Sequence, residues 1–176
     1  MKMTACCATV AALLLAVAPA IAEEVTVDIN KISADGVGDK IGAITVSDNG
    51  KGVTFKVSVT GVSAGEHGFH VHEKGDCGPG EKDGKKAAGV AAGDHYDPKA
   101  TKTHAGPEGQ GHAGDAPKLK ATDKGIDQTV SAPRLKLADI RGRALVIHEG
   151  GDNYSDKPEP LGGGKGRIAC GVVPKG

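Results

Sequence analysis

Residues 41–60, IGAITVSDNGKGVTFKVSVT, decide the fold class of this chain. Four apolar residues alternate with polar ones in the second half of the stretch: Val53, Phe55, Val57 and Val59. A period of two is typical of a β-strand with one buried face. Ile44 and Val46 precede the turn sequence Asp48-Asn49-Gly50. The stretch therefore predicts an antiparallel β-hairpin.

The same period recurs on both sides of this hairpin. Further strands are predicted at residues 25–29, 68–72, 144–148 and 168–173. Few windows have a helical period, and Lys136 to Arg141 suits a single helical turn. Between Glu73 and Gln128 the chain is rich in Gly, Lys, Asp, Ala and His, which predicts a long loop without helix or strand. Such a loop in a compact domain is usually functional. The pattern predicts an antiparallel β-sandwich or barrel with large loops.

Residues 1–22 have the pattern of a secretory signal peptide. Lys2 precedes an apolar run from Ala8 to Ala18, and Ala20-Ile21-Ala22 suits cleavage. The run is about eleven residues long, whereas a membrane span needs ~20, so an anchor is the less favoured interpretation. We expect one exported domain at residues 23–176, with no membrane attachment after cleavage.

Composition limits the classes of function. The 176 residues suffice for one domain, and 22 Lys+Arg balance 22 Asp+Glu. Without net charge or a basic run, a nucleic-acid partner is not expected. The core looks thin, with 28 Gly, two Tyr and two Phe. Cys77 and Cys170 remain after the signal peptide, and two cysteines in an exported domain favour one disulfide.

Histidine clustering is the strongest chemical signal. Six of the seven histidines lie between positions 67 and 112. His70 and His72 are two apart on a predicted strand, so both rings leave the same face and can reach one metal. Four more candidates follow in the long loop: His95, His104, His112 and Asp115. Three imidazoles and a carboxylate suit zinc, which would tie a loop that has no other closure.

The number of candidates points to two metals. With His148, at the end of a later predicted strand, there are seven ligands, one short of two four-coordinate sites. One imidazole shared by both metals would complete the count.

Five motifs carry a family resemblance. They are GFHVHEKGDC (68–77), GDHYDP (93–98), THAGPEGQGHAGD (103–115), HEGGDN (148–153) and LGGGKGRIACGV (161–172). In this order the sequence resembles the exported copper,zinc superoxide dismutases of bacteria, from about Glu24 to its end.

The resemblance implies an all-β fold, an eight-stranded antiparallel Greek-key β-barrel or sandwich with long metal-binding and active-site loops. It also implies conversion of two superoxide anions and two protons to dioxygen and hydrogen peroxide at copper bridged to zinc, an antioxidant defence outside the cytoplasm. The implied copper ligands are His70, His72, His95 and His148. The implied zinc ligands are His95, His104, His112 and Asp115, with His95 shared.

The resemblance assigns further roles to residues near the metals. His95 and Arg167 are the implied catalytic residues, His95 supplying a proton and Arg167 attracting and orienting the anion. Asp152 is implied to accept hydrogen bonds from His70 and His104, which fixes the two rings.

The resemblance also pairs Cys77 with Cys170 and implies a periplasmic protein that is a monomer or a homodimer. Two positions stand out. Asp94 replaces the small residue expected before His95, and His67 belongs to a motif without being a ligand, so we expect it to be structural.

Two other functions compete with the enzyme. An exported zinc- or copper-binding protein of the same fold without turnover would be favoured by a missing copper ligand or a missing arginine, and neither is missing. An adhesion-type β-sandwich with incidental histidines leaves the ligand count unexplained.

Overall fold

A computed structural model describes residues 23–48 and 50–176, so the predicted signal peptide lies outside the described residues. The strands are β1 (Glu23–Ser33), β2 (Gly36–Asp48), β3 (Val53–Val59), β4 (Gly65–His67), β5 (Phe69–His72), β6 (Gly80–Lys82), β7 (Lys85–Ala87), β8 (Leu119–Ala121), β9 (Ile126–Ala132), β10 (Ala144–His148) and β11 (Arg167–Val172). The predicted helical turn is present as α1 (Leu137–Ile140), and 3-10 turns cover Val90–Ala92 and Pro160–Gly163. None of the helices in these ranges has the length and apolar character that a membrane span needs.

The predicted hairpin is confirmed. Strands β2 and β3 pair antiparallel from Gly42 opposite Val59 to Asp48 opposite Val53. The apolar residues of β3 are buried at alternate positions, as a period of two requires.

The strands curl into a barrel. Seven of them make one sheet in the order β5-β10-β11-β1-β2-β3-β9. β9 follows β8 through a tight turn in which Thr122 and Gly125 bond each other's backbone, and β8 pairs with β4. Gly68 alone separates β4 from the edge strand β5, so the β4–β8 pair connects the two edges of the curled sheet. With β4 and β5 as one strand, the predicted eight-stranded barrel is confirmed.

The core lies inside this ring. Phe55 on β3 and Phe69 on β5 meet edge to face, with ring centroids 5.1 Å apart, the geometry that aromatic pairs favour. Val27, Ile44 and Leu145 from three other strands are fully buried around them. Aliphatic side chains from many strands thus build most of the core, together with the two phenylalanines.

The expectation of a featureless segment between Glu73 and Gln128 is partly wrong. The segment contains the hairpin β6–β7, the turn at Val90–Ala92, strand β8 and the start of β9. Charged residues dominate β6 and β7, which are mostly exposed, so this hairpin has no apolar alternation to detect. In β9 the polar Gln128 interrupts the alternation, and its side-chain oxygen accepts a hydrogen bond from Lys120 N.

Candidate metal centre

Strand β5 supplies the first two histidines. Phe69 and Val71 point into the core, so His70 and His72 lie on the opposite face. Antiparallel pairing sets Val146 of β10 opposite His70, and His148 ends the same strand. The sheet thereby brings together histidines that are far apart in sequence.

The long loop adds the other candidates. His95 lies opposite His72 and Asp115 opposite His70 in isolated β-bridges, which fix both loop residues against β5. Among the described residues, two sets of ligand atoms each fit within 4.8 Å of one another. One set is His70, His72, His95 and His148, and the other is His70, His95, His104 and Asp115. All of these residues are buried.

His112 also reaches the second set. Its Nδ1 lies 3.3 Å from Asp115 Oδ1, and the Nδ1 atoms of His95 and His104 lie 2.9 and 3.0 Å from the same oxygen. Ligand atoms about 2.0–2.1 Å from a tetrahedral zinc are about 3.3 Å apart. The described structure therefore brings the whole sequence-predicted zinc set together, with His70 beside it.

Unpaired nitrogens show that the two sets fit metals. His70 Nδ1 and His95 Nε2 are buried and have no hydrogen-bond partner within residues 23–48 and 50–176. A buried polar atom without a partner is costly. Across the first set, His72 Nε2 faces His148 Nε2 at 3.3 Å, two nitrogens that a metal ion can bind together. The donor set suits copper on one side and zinc on the other.

The opposite ring nitrogens are held by acceptors. His72 Nδ1 donates to Gly93 O at 2.9 Å. His70 Nε2 and His104 Nε2 donate to the two oxygens of Asp152, at 2.7 and 2.8 Å. Such bonds fix the ring orientation and leave the other nitrogen free for a metal. Asp152 is thus bonded to one histidine of each set.

Burial keeps the four rings of the first set neutral. It lowers the pKa of His70 and His72 well below the ordinary value, and neighbouring positive groups add to the effect. Burial and His95 lower the pKa of His148 to about 3. The pKa of His95 is also lowered by burial, despite its contact with Asp115. Metals bind neutral imidazole, so His70, His72 and His148 need lose no proton at pH 7, whereas His95 would have to lose its N–H proton to bind two metals at once.

The zinc side differs electrostatically. Burial would lower the pKa of His104, but hydrogen bonds to Asp115 and Asp152 outweigh it and raise that pKa to about 9. Burial would raise the pKa of Asp115, but His104 and His95 hold it far below its ordinary value. Without metal, the positive charge of the His104 imidazolium thus lies between the carboxylates of Asp115 and Asp152, where a metal ion would otherwise supply the charge.

Arg167 begins β11 and borders a cavity of about 290 Å³ that also contacts His95 and His148. Its guanidinium donates to Gly89 O at 2.5 Å and to Gly93 O at 2.7 Å. Burial lowers the pKa of Arg167, and the charge of Asp94 opposes that shift. The exposed Asp94 therefore acts on the arginine beside the cavity.

Gly93 is a functional residue that the sequence analysis missed. Its carbonyl oxygen accepts hydrogen bonds from both His72 and Arg167. Its φ of 74° lies in the left-handed region that favours glycine. A glycine two residues before a candidate bridging histidine is the signal that marks it.

Two other residues of the motifs have structural contacts. Cys77 and Cys170 form the predicted disulfide, which joins the loop after β5 to β11. His67 is 1% exposed, and its ring nitrogens lie 2.7 Å from His148 O and 2.9 Å from Ser63 O. It therefore holds the backbone of His148 from behind the copper set.

Fold and site together define a class: a β-barrel metalloprotein with two adjoining histidine-rich sites at one wall of the barrel. A family model described as copper/zinc superoxide dismutase (SODC) matches residues 40–173. This chain belongs to the copper/zinc superoxide dismutase family.

Relatives and solved structures agree with this family. The Cu-Zn superoxide dismutase of Brucella abortus biovar 1 (strain 9-941) is 53% identical over 157 residues, which cover 88% of this chain and 91% of the relative. That of Escherichia coli (strain K12) is 49% identical over 149 residues, 84% of this chain and 86% of the relative. A solved Cu/Zn superoxide dismutase from Brucella abortus superposes with a TM-score of 0.84 at 52% identity, over 86% of this chain and 99% of that one.

Proposed function

We propose that this protein is a superoxide dismutase that converts two superoxide anions and two protons to dioxygen and hydrogen peroxide. The observation that carries the proposal is the pair of adjoining ligand sets, which share buried His95 and leave its Nε2 unpaired. Family membership supports the same activity.

In this proposal His70, His72, His95 and His148 hold copper. His95, His104, His112 and Asp115 hold zinc, because three Nδ1 atoms converge on Asp115 Oδ1. Both sets of ligand atoms contain His70 as well as His95, and His70 is given to copper because the family resemblance assigns it there. When bound, copper supplies a centre that accepts and donates an electron, and zinc supplies a redox-silent positive charge.

Arg167 binds and orients the anion. A guanidinium has five N–H donors, and the two hydrogen bonds to Gly89 and Gly93 leave others for superoxide in the cavity. Its charge is permanent, so attraction of the anion does not depend on pH in the physiological range.

His95 handles the proton. Its Nδ1 lies 2.9 Å from Asp115 on the zinc side, so zinc bound there would keep the ring in place while Nε2 takes up a proton and releases it toward peroxide.

We propose that residues 1–22 are removed as a signal peptide and that the domain at 23–176 works in the periplasm. Superoxide is its small-molecule partner, with no nucleic acid and no membrane, and the chain acts as a monomer or a homodimer. The secretory pattern of residues 1–22 supports an exported location.

Metal analysis of the purified protein combined with a superoxide-decay assay tests the function. We expect one copper and one zinc per chain, and activity that disappears in His148→Ala and in wild type loaded with zinc alone. Wild type that holds copper yet leaves superoxide decay at the uncatalysed rate would favour the metal-binding protein without turnover.

A further inference from the structure

The segment from Thr103 to Asp115 carries three of the proposed zinc ligands and contains no helix and no extended strand. Its peptide groups therefore cannot satisfy one another as they do in regular structure. His112 N donates to Thr103 O at 2.9 Å, which closes the base of the segment. The carbonyl groups at its tip need donors from elsewhere in the fold.

Arg134 supplies those donors. Its Nη1 donates to Gly106 O at 3.2 Å, and its Nη2 donates to Gly111 O at 2.5 Å and to His112 O at 3.0 Å. The three carbonyl groups belong to both arms of the turn, one arm following His104 and the other containing His112. One guanidinium thus ties the two arms together.

The backbone around Arg134 is itself fixed. Ala132 and Leu135 are each 1% exposed in the core, and Leu135 N donates to Ala132 O at 3.2 Å. The guanidinium is planar and presents its donors in a rigid fork. Because the backbone of Arg134 is fixed and its guanidinium is rigid, the barrel determines where the turn lies.

The bond to His112 O reaches the zinc set directly. Asp115 N also approaches this oxygen, at 3.5 Å, so the same carbonyl group lies between Arg134 and a second proposed ligand. Displacement of His112 would alter the spacing of 3.3 Å between His112 Nδ1 and Asp115 Oδ1. Groups that orient ligands in this way typically change metal affinity 10- to 100-fold when they are removed.

We propose that Arg134 is a positioning residue for the zinc site: through three carbonyl groups it sets the place of His112 and slows the release of zinc. The inference rests on the zinc ligand set of the proposed function. Arg134 contacts neither the substrate cavity nor the copper set among its described hydrogen bonds.

The test uses the full protein loaded with zinc, or with Co²⁺ at the same site. Zinc release to a chromogenic chelator and the visible Co²⁺ spectrum are measured for wild type, Arg134→Ala and Arg134→Lys. Arg141→Gln is the matched control, because Arg141 bonds the carbonyl group of Pro174 and the carboxylate of Glu23, far from the zinc segment in sequence.

We expect Arg134→Ala to release zinc roughly 10-fold faster or more and to shift the Co²⁺ bands. Arg134→Lys keeps the charge but not the forked donors, so its rate of zinc release should lie between those of wild type and Arg134→Ala. Arg134 also lines a surface cavity of about 410 Å³. Millimolar guanidinium ion can therefore enter the space left in Arg134→Ala, and it should slow zinc release again.

Release rates within twofold of wild type, with unchanged Co²⁺ bands in both variants, would overturn the role of Arg134 alone. Wild type that binds neither zinc nor Co²⁺ would instead refute the zinc set and the proposed function with it. If Arg134→Ala does not fold, Arg134→Lys decides, since a release rate equal to wild type contradicts the inference.

Discussion

His70, His72 and His104 are each held through one ring nitrogen. Asp152 accepts from His70 and His104, and Gly93 O accepts from His72. In neutral His70 and His72 the held nitrogen carries the hydrogen, so the other presents its lone pair; protonated His104 carries a hydrogen on both nitrogens until a metal displaces one. At the scale of single residues, the chemistry depends on these acceptors as much as on the histidines.

The raised pKa of His104 makes the metal-free protein sensitive to alkaline pH. The folded state holds this proton more tightly than the unfolded chain, whose pKa is near 6.5. The stabilisation is therefore complete below pH 6.5 and disappears as pH rises through about 9. The loss should be about 3 kcal/mol of unfolding free energy, since one pKa unit corresponds to about 1.4 kcal/mol.

Urea unfolding of the metal-free, oxidised protein at pH 6.5 and pH 9 measures this loss. His104→Gln lacks this proton, so the difference between its pH profile and that of wild type isolates the loss; the lowered pKa values of His70, His72, His95 and His148 contribute to both profiles. Parallel pH profiles for wild type and His104→Gln would contradict the expected role of His104.

The charge of Arg167 should govern the encounter with superoxide. Arg167→Glu reverses the charge beside the cavity, so we expect turnover at low salt to fall about 10-fold or more while both metals remain bound. The decrease in rate with ionic strength should also weaken, because salt screens an attraction that the variant lacks. Arg141→Glu changes the net charge equally and is the control; an Arg167→Glu rate equal to wild type at low salt would refute steering.

At the scale of elements, three neighbouring strands and one loop build the site. β5 and β10 carry the copper-side histidines, β11 begins with Arg167, and the loop after β5 brings the remaining ligands back against β5. The disulfide fastens the start of that loop to β11, whose Cys170 is 1% exposed. Loop and sheet are therefore linked covalently.

Removing the disulfide should destabilise the fold substantially. The bond joins residues 93 apart in sequence, and in the chain-entropy model a closed loop of that length contributes roughly 4 to 5 kcal/mol. Cys77→Ser combined with Cys170→Ser should lose this amount in urea unfolding, with metals present throughout. Wild type treated with reductant is the control. A loss below about 1 kcal/mol would show that the loop is held by other contacts.

At the scale of the whole molecule, local groups compensate both for a core with few aromatic residues and for a net charge of zero. The barrel buries small aliphatic side chains, and the segment between β5 and β9 is fastened by a disulfide and by its converging ligand groups. With 22 positive and 22 negative side chains, the net charge does not attract an anion. Attraction must come from local groups such as Arg167.

Metals should therefore raise the stability of the whole fold. A ligand that binds only the folded state stabilises it by about 4 kcal/mol at a thousand times its Kd, roughly 8–16 °C in Tm for a chain of this length. We expect the metal-free, reduced protein to melt at least about 10 °C below the metal-loaded, oxidised form. The metal-free, oxidised form separates the two contributions. Melting within a few degrees would contradict a structural role for both.

The sequence predicted much of the metal centre. Period-two alternation predicted β3 and β5, and the spacing of His70 and His72 placed both rings on one face. Alternation failed for β6, β7 and β9, because exposed charged residues and Gln128 lie where apolar residues would mark a strand. These elements form through pairing with partners distant in sequence, which a local pattern does not report.

The sequence by itself determined the fold class, the ligand types and their number, because these depend on local periodicity and on side-chain chemistry. Tertiary structure alone decided which ring nitrogens are free, and why the pKa rises for His104 but falls for His148. It also decided which groups Arg134 and the carbonyl group of Gly93 contact. Those properties arise from burial and from atoms brought within about 3 Å across the barrel, distances that sequence separation does not encode.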